Sequence, residues 1–177
     1  MVKVKEKNGT LVGKVKIRFH KVSDAKRLFE ILQWTKKILR SPIIVKDVQE
    51  EINCLKKKIQ DTKDKKEFNF TILYNGEIVG SASLDPYGVD GDSWELGYLV
   101  DENQWNKGIA TKTVKLLEAY AKKEFKIKKL IAITHPKNIA SQKVLKKNGF
   151  EKIKLLKKYK LVNGKLEDRL LYSKILH

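Results

Sequence analysis

The spacing of apolar residues changes period along this 177-residue chain, and each change marks an element. Val2 to Lys7 and Leu11 to Phe19 flank Asn8-Gly9, a pair that supplies the positive φ angles of a tight turn, so the chain is expected to open on a hairpin. A helix follows, with Ser23 as N-cap, Asp24 in the first turn and Leu28, Ile31 and Leu32 on the buried side. Ser41-Pro42 breaks the next stretch. Val48, Ile52, Leu55 and Ile59 then form a stripe opposite lysines, which predicts a second helix from about Lys46 to Gln60.

Short apolar runs take over after this helix. Phe68 to Tyr74 and Glu77 to Leu84 flank Asn75-Gly76, and after a loop with Pro86, Gly88 and Gly91 the run from Ser93 to Val100 completes an antiparallel meander. Ala110, Val114, Leu117 and Ala121 return to helical spacing. Lys129 to Thr134 is a strand following that helix, and such a strand usually runs parallel to the one before it. Asn138 to Phe150 reads as a short helix that buries Ala140, Val144 and Leu145 and stops at Asn148-Gly149. Glu151 to Val162 and Lys165 to Leu176 flank Asn163-Gly164, a third hairpin of the same kind. The order implies an α+β (layered α/β) fold, one domain over residues 1-177, whose mixed and mostly antiparallel sheet turns parallel at the crossover after Val100.

That crossover carries the candidate chemistry. Residues Asn103 to Thr111 join a strand to a helix N-terminus, at the carboxyl end of the strand, where ligands bind in open α/β sheets. The first backbone N–H groups of a helix lack intrahelical partners, the macrodipole adds partial positive charge, and Gly108 lets an anion approach without a Cβ in the way. Lys107, Gly108, Ile109, Ala110 and Thr111 are therefore a candidate cradle for a pyrophosphate. The pattern is neither a Walker loop, because Lys107 precedes Gly108, nor Gly-x-Gly-x-x-Gly, because only one glycine is present.

Composition narrows the class. Hydrophobic residues at 41% with 34% charged residues fit a soluble globular domain, no apolar run approaches a membrane span, and no signal-peptide pattern opens the chain, so a cytoplasmic protein without membrane attachment is expected. Cys54 is the single cysteine and lies off the apolar stripe of its helix; with His20, His135 and His177 scattered, no metal site is expected. The net charge of +18 points to polyanionic surroundings such as nucleic acid, the ribosome or an anionic cofactor. Between Lys66 and Lys107 there is no Lys or Arg, yet that interval holds Glu67, Glu77, Asp85, Asp90, Asp92, Glu95, Asp101 and Glu102. An acidic block in a basic chain suits two opposed faces, one for an anion and one for a cation.

With Gly108 and Ala110 at its two small positions, the segment Lys107 to Thr111 resembles the acetyl-CoA pyrophosphate loop of the GNAT superfamily of N-acetyltransferases. Trp105 stands where that loop usually has Gln or Arg, as in the branch resembling the RimJ and RimL ribosomal-protein acetyltransferases. Asn138-x-x-Ser141 followed by Gly149-Phe150 resembles the second GNAT motif. The resemblance implies a sheet splayed between its fourth and fifth strands, acetyl-CoA in the splay, and direct transfer to a primary amine in a ternary complex. Asn138 and the strand edge at Leu99 and Val100 would meet the pantetheine arm, Glu95 would accept the amine proton, and an N–H near Leu99 would stabilise the oxyanion. Leu145 replaces a tyrosine that many members carry, which leaves Ser141 as the group for the leaving thiolate, with Tyr98 and Tyr159 as alternatives. The implied acceptor is a protein N-terminal amine. A small polyamine-like amine, or a non-catalytic nucleic-acid or ribosome-binding role on the same fold, are the other readings, and the oligomeric state stays open.

Overall fold

A computed structural model describes residues 14–39, 45–88, 93–125, 127–162 and 164–176. Among these, β1 (Val15–Phe19), β2 (Phe68–Tyr74), β3 (Glu77–Pro86), β4 (Ser93–Val100), β5 (Lys129–Thr134), β6 (Glu151–Val162) and β7 (Lys165–Ile175) form one sheet in the order β1-β2-β3-β4-β5-β7-β6. Only β4 and β5 are parallel neighbours; every other pair is antiparallel. Asn75 and Gly76, with φ of 53° and 96°, make the tight turn that fixes the β2–β3 register. Most of the expected first hairpin, including Asn8-Gly9, lies outside the described residues; its second strand is present as β1, paired with β2.

Among the described residues, four α-helices cover the two faces. α1 (Ala25–Leu39) and α2 (Val48–Lys63) pack on one, where Ala25, Leu28, Ile31 and Leu55 gather Ile52, Ile78 and Leu99 around them. α3 (Ile109–Phe125) and α4 (Ile139–Lys147) pack on the other, burying Val114, Leu117, Ala121 and Leu145 with Leu84, Leu96 and Leu130. Successive side chains of a strand point to opposite faces, so Leu99 and Leu96, three apart on β4, belong to different layers. At the closed end of the β4–β5 pair, the Phe125 ring lies 4.3 Å from Phe68 and 5.3 Å from Trp94, centroid to centroid.

Three local expectations change. Ser23 does not cap α1: the chain makes a 3-10 turn over Val22–Asp24, and the Asp24 carboxylate accepts the Lys21 N–H at 2.9 Å. A carboxylate accepts several bonds at once, and this one also takes a two-pronged pair from Arg18 at 2.7 and 2.8 Å and the Thr71 hydroxyl at 2.6 Å. Burial works to raise the Asp24 pKa, but the Arg18, Thr71 and Lys21 hydrogen bonds outweigh it and hold the group down at about 2. α2 starts at Val48 because Asp47 caps it through the Glu50 N–H at 2.8 Å, and its buried side includes Glu51 beside Leu55. On α4, Ala140 is exposed and Leu145 is the buried residue.

Candidate active site

β4 and β5 share three register pairs, Ser93 with Lys129 through Glu95 with Ile131, and then part. A cavity of about 640 Å³ runs through the opening, with Leu28, Cys54 and Lys58 on the α1–α2 side and Asn138, Ser141 and Leu145 on the α4 side. The β3–β4 ladder is bracketed by Tyr87 N–H to Ser93 O and Asp101 N–H to Val79 O, both 2.8 Å. Peptide groups alternate along an antiparallel strand, so those of Glu95, Gly97 and Leu99 face β3, and those of Leu96, Tyr98 and Val100 face β5. The close approach of Leu99 to β3 agrees, since a Cβ on Gly80 would sit 2.0 Å from the Leu99 oxygen. This corrects the expectation for Leu99: its side chain lines the cavity, but its N–H and C=O are turned to β3, and Tyr98 and Val100 present main chain to the opening. The Val100 carbonyl already accepts the Trp105 ring N–H at 2.8 Å, which leaves the Val100 N–H.

The turn beyond β4 is held from beneath. Asp101, buried at 2% exposure, accepts the Asn103 N–H at 3.0 Å and pairs with the Arg27 guanidinium of α1. Asn106 and Gly108 both adopt positive φ, 61° and 72°. The first bond of α3 runs from Lys112 N–H to Gly108 O, so the N–H groups of Ile109, Ala110 and Thr111 precede it. A Cβ built on Gly108 would meet nothing within 4 Å, so the space before these amides is open and suits an incoming phosphate. The Lys107 ammonium reaches back to the Gln104 side chain at 2.8 Å.

Across the opening, the Asn138 side-chain oxygen accepts the Ser141 N–H at 3.0 Å. Asn138 is thus the N-cap of α4, and its amide NH₂ is what it has left to offer a pantetheine carbonyl. The Ser141 hydroxyl lies 2.9 Å from the Tyr98 hydroxyl. Burial raises the Tyr98 phenol pKa against the opposing effect of that hydrogen bond, so Tyr98 stays a neutral phenol, and either hydroxyl of the pair can donate. Tyr159, half exposed on β6, has its phenol raised by burial and by the nearby Tyr87 and Glu95.

Glu95 faces the cavity from β4, and burial, reinforced by the Asp85 charge and opposed by Lys160, pushes its pKa up to about 7. Asp85 is its direct partner across β3 and β4. Burial raises Asp85 to about 6, while the Ser83 hydroxyl, donating at 2.8 Å, resists and Glu67 adds to the rise. Sequence reasoning had Asp85 and Glu67 only as members of an acidic block. It did not single out Glu51, Lys160 or Arg169, which also line the cavity and come from α2, β6 and β7. Alternation along β3 was the available signal: Ser81, Ser83 and Asp85 share one face.

Residues 14–151 match the family model of the acetyltransferase (GNAT) domain. Among curated proteins, the probable N-acetyltransferase YjcK of Bacillus subtilis is 38% identical over 73 residues, which is 41% of this chain and 40% of that protein. The uncharacterized N-acetyltransferase p20 of Bacillus licheniformis is 27% identical over 106 residues, 60% of each. The chain therefore spans 60% or less of the length of these two relatives. Among solved structures, Mycobacterium smegmatis RimJ in complex with CoA-disulfide superposes with a TM-score of 0.85 at 24% identity, over 93% of this chain and 83% of its own. The ribosomal-protein-S5-alanine acetyltransferase from Vibrio fischeri gives 0.81 at 25% identity, over 91% and 92%. The microcin C7 self-immunity acetyltransferase MccE, in complex with acetyl-CoA and AMP, gives 0.84 at 21% identity, over 94% and 98%.

Proposed function

Because the chain belongs to the acetyltransferase (GNAT) domain family, whose cosubstrate is acetyl-CoA, we propose that it transfers an acetyl group from acetyl-CoA to the N-terminal α-amine of a protein. The observation that carries this reading is the opening between β4 and β5, which holds the half-buried Glu95 carboxylate and lies on the strand whose carboxyl end leads into the helix-start amides of α3.

In the proposed mechanism the N–H groups from Lys107 to Thr111 hold the pyrophosphate and the Asn138 NH₂ meets the pantetheine arm. Tyr98 and Val100 contribute the main-chain edge there, as an added strand would find it. Glu95 takes one proton from the incoming ammonium, freeing the nitrogen lone pair to form the new C–N bond at the thioester carbonyl. An N–H at Tyr98 or Val100, on either side of Leu99, stabilises the oxyanion. When the C–S bond breaks, Ser141, backed by the Tyr98 hydroxyl, supplies a hydrogen bond or proton to the thiolate.

A protein substrate is supported by the neighbour named for ribosomal protein S5, and the net charge of +18 supports association with the ribosome or another polyanion. A cytoplasmic setting belongs to the same proposal; no helix among the described residues is long and apolar enough to cross a membrane. The carboxylates Glu51, Glu67, Asp85 and Glu95 around the cavity favour one second reading, a polyamine-like small amine. Acceptor competition separates the two: with acetyl-CoA saturating, a peptide with a free N-terminus should be acetylated at its α-amine, as mapped by mass spectrometry. Faster transfer to spermidine than to any peptide offered would replace the first reading with the second, and no turnover with either would favour a non-catalytic binding protein.

A further inference from the structure

The cavity wall formed by β3 and β4 holds a second carboxylate that the mechanism above does not use. Asp85 pairs in register with Glu95, and both side chains line the cavity. The strand alternation that turns Glu95 inward turns Asp85 inward as well, so the two acids cannot avoid each other without breaking the ladder. The Ser83 hydroxyl donates to the Asp85 carboxylate at 2.8 Å and fixes its orientation. Among the described residues, neither Asp85 nor Glu95 forms an ion pair. Two half-buried acids set side by side without a paired cation cost stability, and such arrangements concentrate where a proton must be handled.

We propose that Asp85 is a positioning residue for the transfer reaction: standing across β3 and β4 from Glu95 at the amine end of the cavity, it strengthens Glu95 as a proton acceptor. The proposal rests on Glu95 being the base. Like charges at close range favour retaining one proton between them, so Glu95 beside ionised Asp85 is a stronger base than a lone buried glutamate. The other charged and titratable groups around this space are few. Glu67 precedes β2, His20 follows β1, Glu51, Cys54 and Lys58 come from α2, Tyr98 from β4, Tyr159 and Lys160 from β6 and Arg169 from β7, and His135, which follows β5, has its Nε2 3.4 Å from Glu167. Arg169 is engaged with Glu167 at 3.1 Å, and burial, with Lys58 and Arg18 outweighing Asp24, holds His20 down at about 4, neutral at working pH. Lys160 is the cation that acts against Asp85 at Glu95, and it does not cancel it.

A carboxyl ¹³C NMR titration of the full chain tests this without needing the acceptor. The Glu95 resonance is assigned by its loss in Glu95→Gln and followed in wild type, Asp85→Asn and Asp85→Glu. The expected result is a Glu95 midpoint displaced to lower pH in Asp85→Asn, by roughly one unit, and restored toward wild type in Asp85→Glu. In turnover, the acid limb of the pH profile moves the same way, so relative activity one unit below the wild-type midpoint rises about five-fold. A Glu95 midpoint unchanged in Asp85→Asn would overturn the inference. If Asp85→Asn fails to fold, Ser83→Ala takes its place: without the hydroxyl, Asp85 keeps the proton more readily and the Glu95 midpoint must again fall, and an unmoved midpoint refutes the role. Near-normal turnover in Glu95→Gln would instead sink the reading of Glu95 as base, whatever the midpoints do.

Discussion

The hydroxyls of Tyr98 and Ser141 lie 2.9 Å apart, one from β4 and one from α4, bridging the opening where the two strands separate. If Tyr98 donates to Ser141, the serine proton is free to point at the departing sulfur. Ser141→Ala should lower kcat by about 10²-fold, the low end for acid catalysis because a thiolate leaves readily, with KM for acetyl-CoA little changed. Tyr98→Phe should cost less, and the double variant should lose less than the product of the two, since both act through one proton. Steady-state kinetics on the four proteins checks this, and full multiplicativity would separate the two hydroxyls.

Glu95 gives a prediction about pH. With its pKa raised to about 7, the carboxyl is mostly protonated below that value and becomes an acceptor above it, so kcat/KM in wild type should rise with pH through about 7. Glu95→Gln should abolish that limb and reduce turnover by roughly 10²- to 10⁴-fold at neutral pH. The loss should shrink at high pH, where more of the amine is neutral unaided.

The turn at Gly108 predicts a binding loss rather than a rate loss. Its positive φ already disfavours any side chain, and an aspartate there adds negative charge in the open space before the helix-start amides. Gly108→Asp should weaken CoA binding by well over ten-fold in a titration calorimeter, and a folded variant with wild-type affinity would move the pyrophosphate elsewhere.

Asn138 caps α4, and in the proposed mechanism its NH₂ also meets the pantetheine arm. Asn138→Ala removes the α4 cap and should cost about 1 kcal/mol in urea unfolding while raising KM for acetyl-CoA. Asn138→Asp keeps an oxygen for the Ser141 N–H but loses the NH₂, so stability should return and KM should stay high. Recovery of both would leave Asn138 a cap only.

Asp24 predicts acid sensitivity of the fold. Its native pKa of about 2 lies below its ordinary value of 3.8, so its contribution is present above that value and is lost as pH falls from about 4 to 2. Asp24→Asn should flatten the stability curve in that range, measured by thermal melts at successive pH values.

The Asn75-Gly76 turn, the strand from Ser93 to Val100 and the helix after Gly108 were legible because each is written in local chemistry: two turn residues, a run of apolar positions, a change of period. Ser23 was misread because the competing acceptor is held by Arg18 and Thr71, and Thr71 lies 47 residues from Asp24. The direction of the Leu99 peptide was not legible either. It depends on which β3–β4 rungs are hydrogen-bonded, a parity set by the connection from Tyr87 to Ser93 and not by any residue's own preference. The pairing of Asp85 with Glu95 was hidden for the same reason: both acids were visible, and their register was not.

The short seam between β4 and β5 makes the sheet two plates joined at one end. A molecule laid in the gap supplies the missing span, so saturating acetyl-CoA should slow hydrogen exchange at Tyr98 and Val100 and make the plates unfold together. It also shapes how the protein can resist an inhibitor. A compound that bridges the plates would grip backbone atoms of β4 whose placement depends on the ladder to β3, and a substitution that shifts them enough to evade the compound would also disarm the natural cosubstrate.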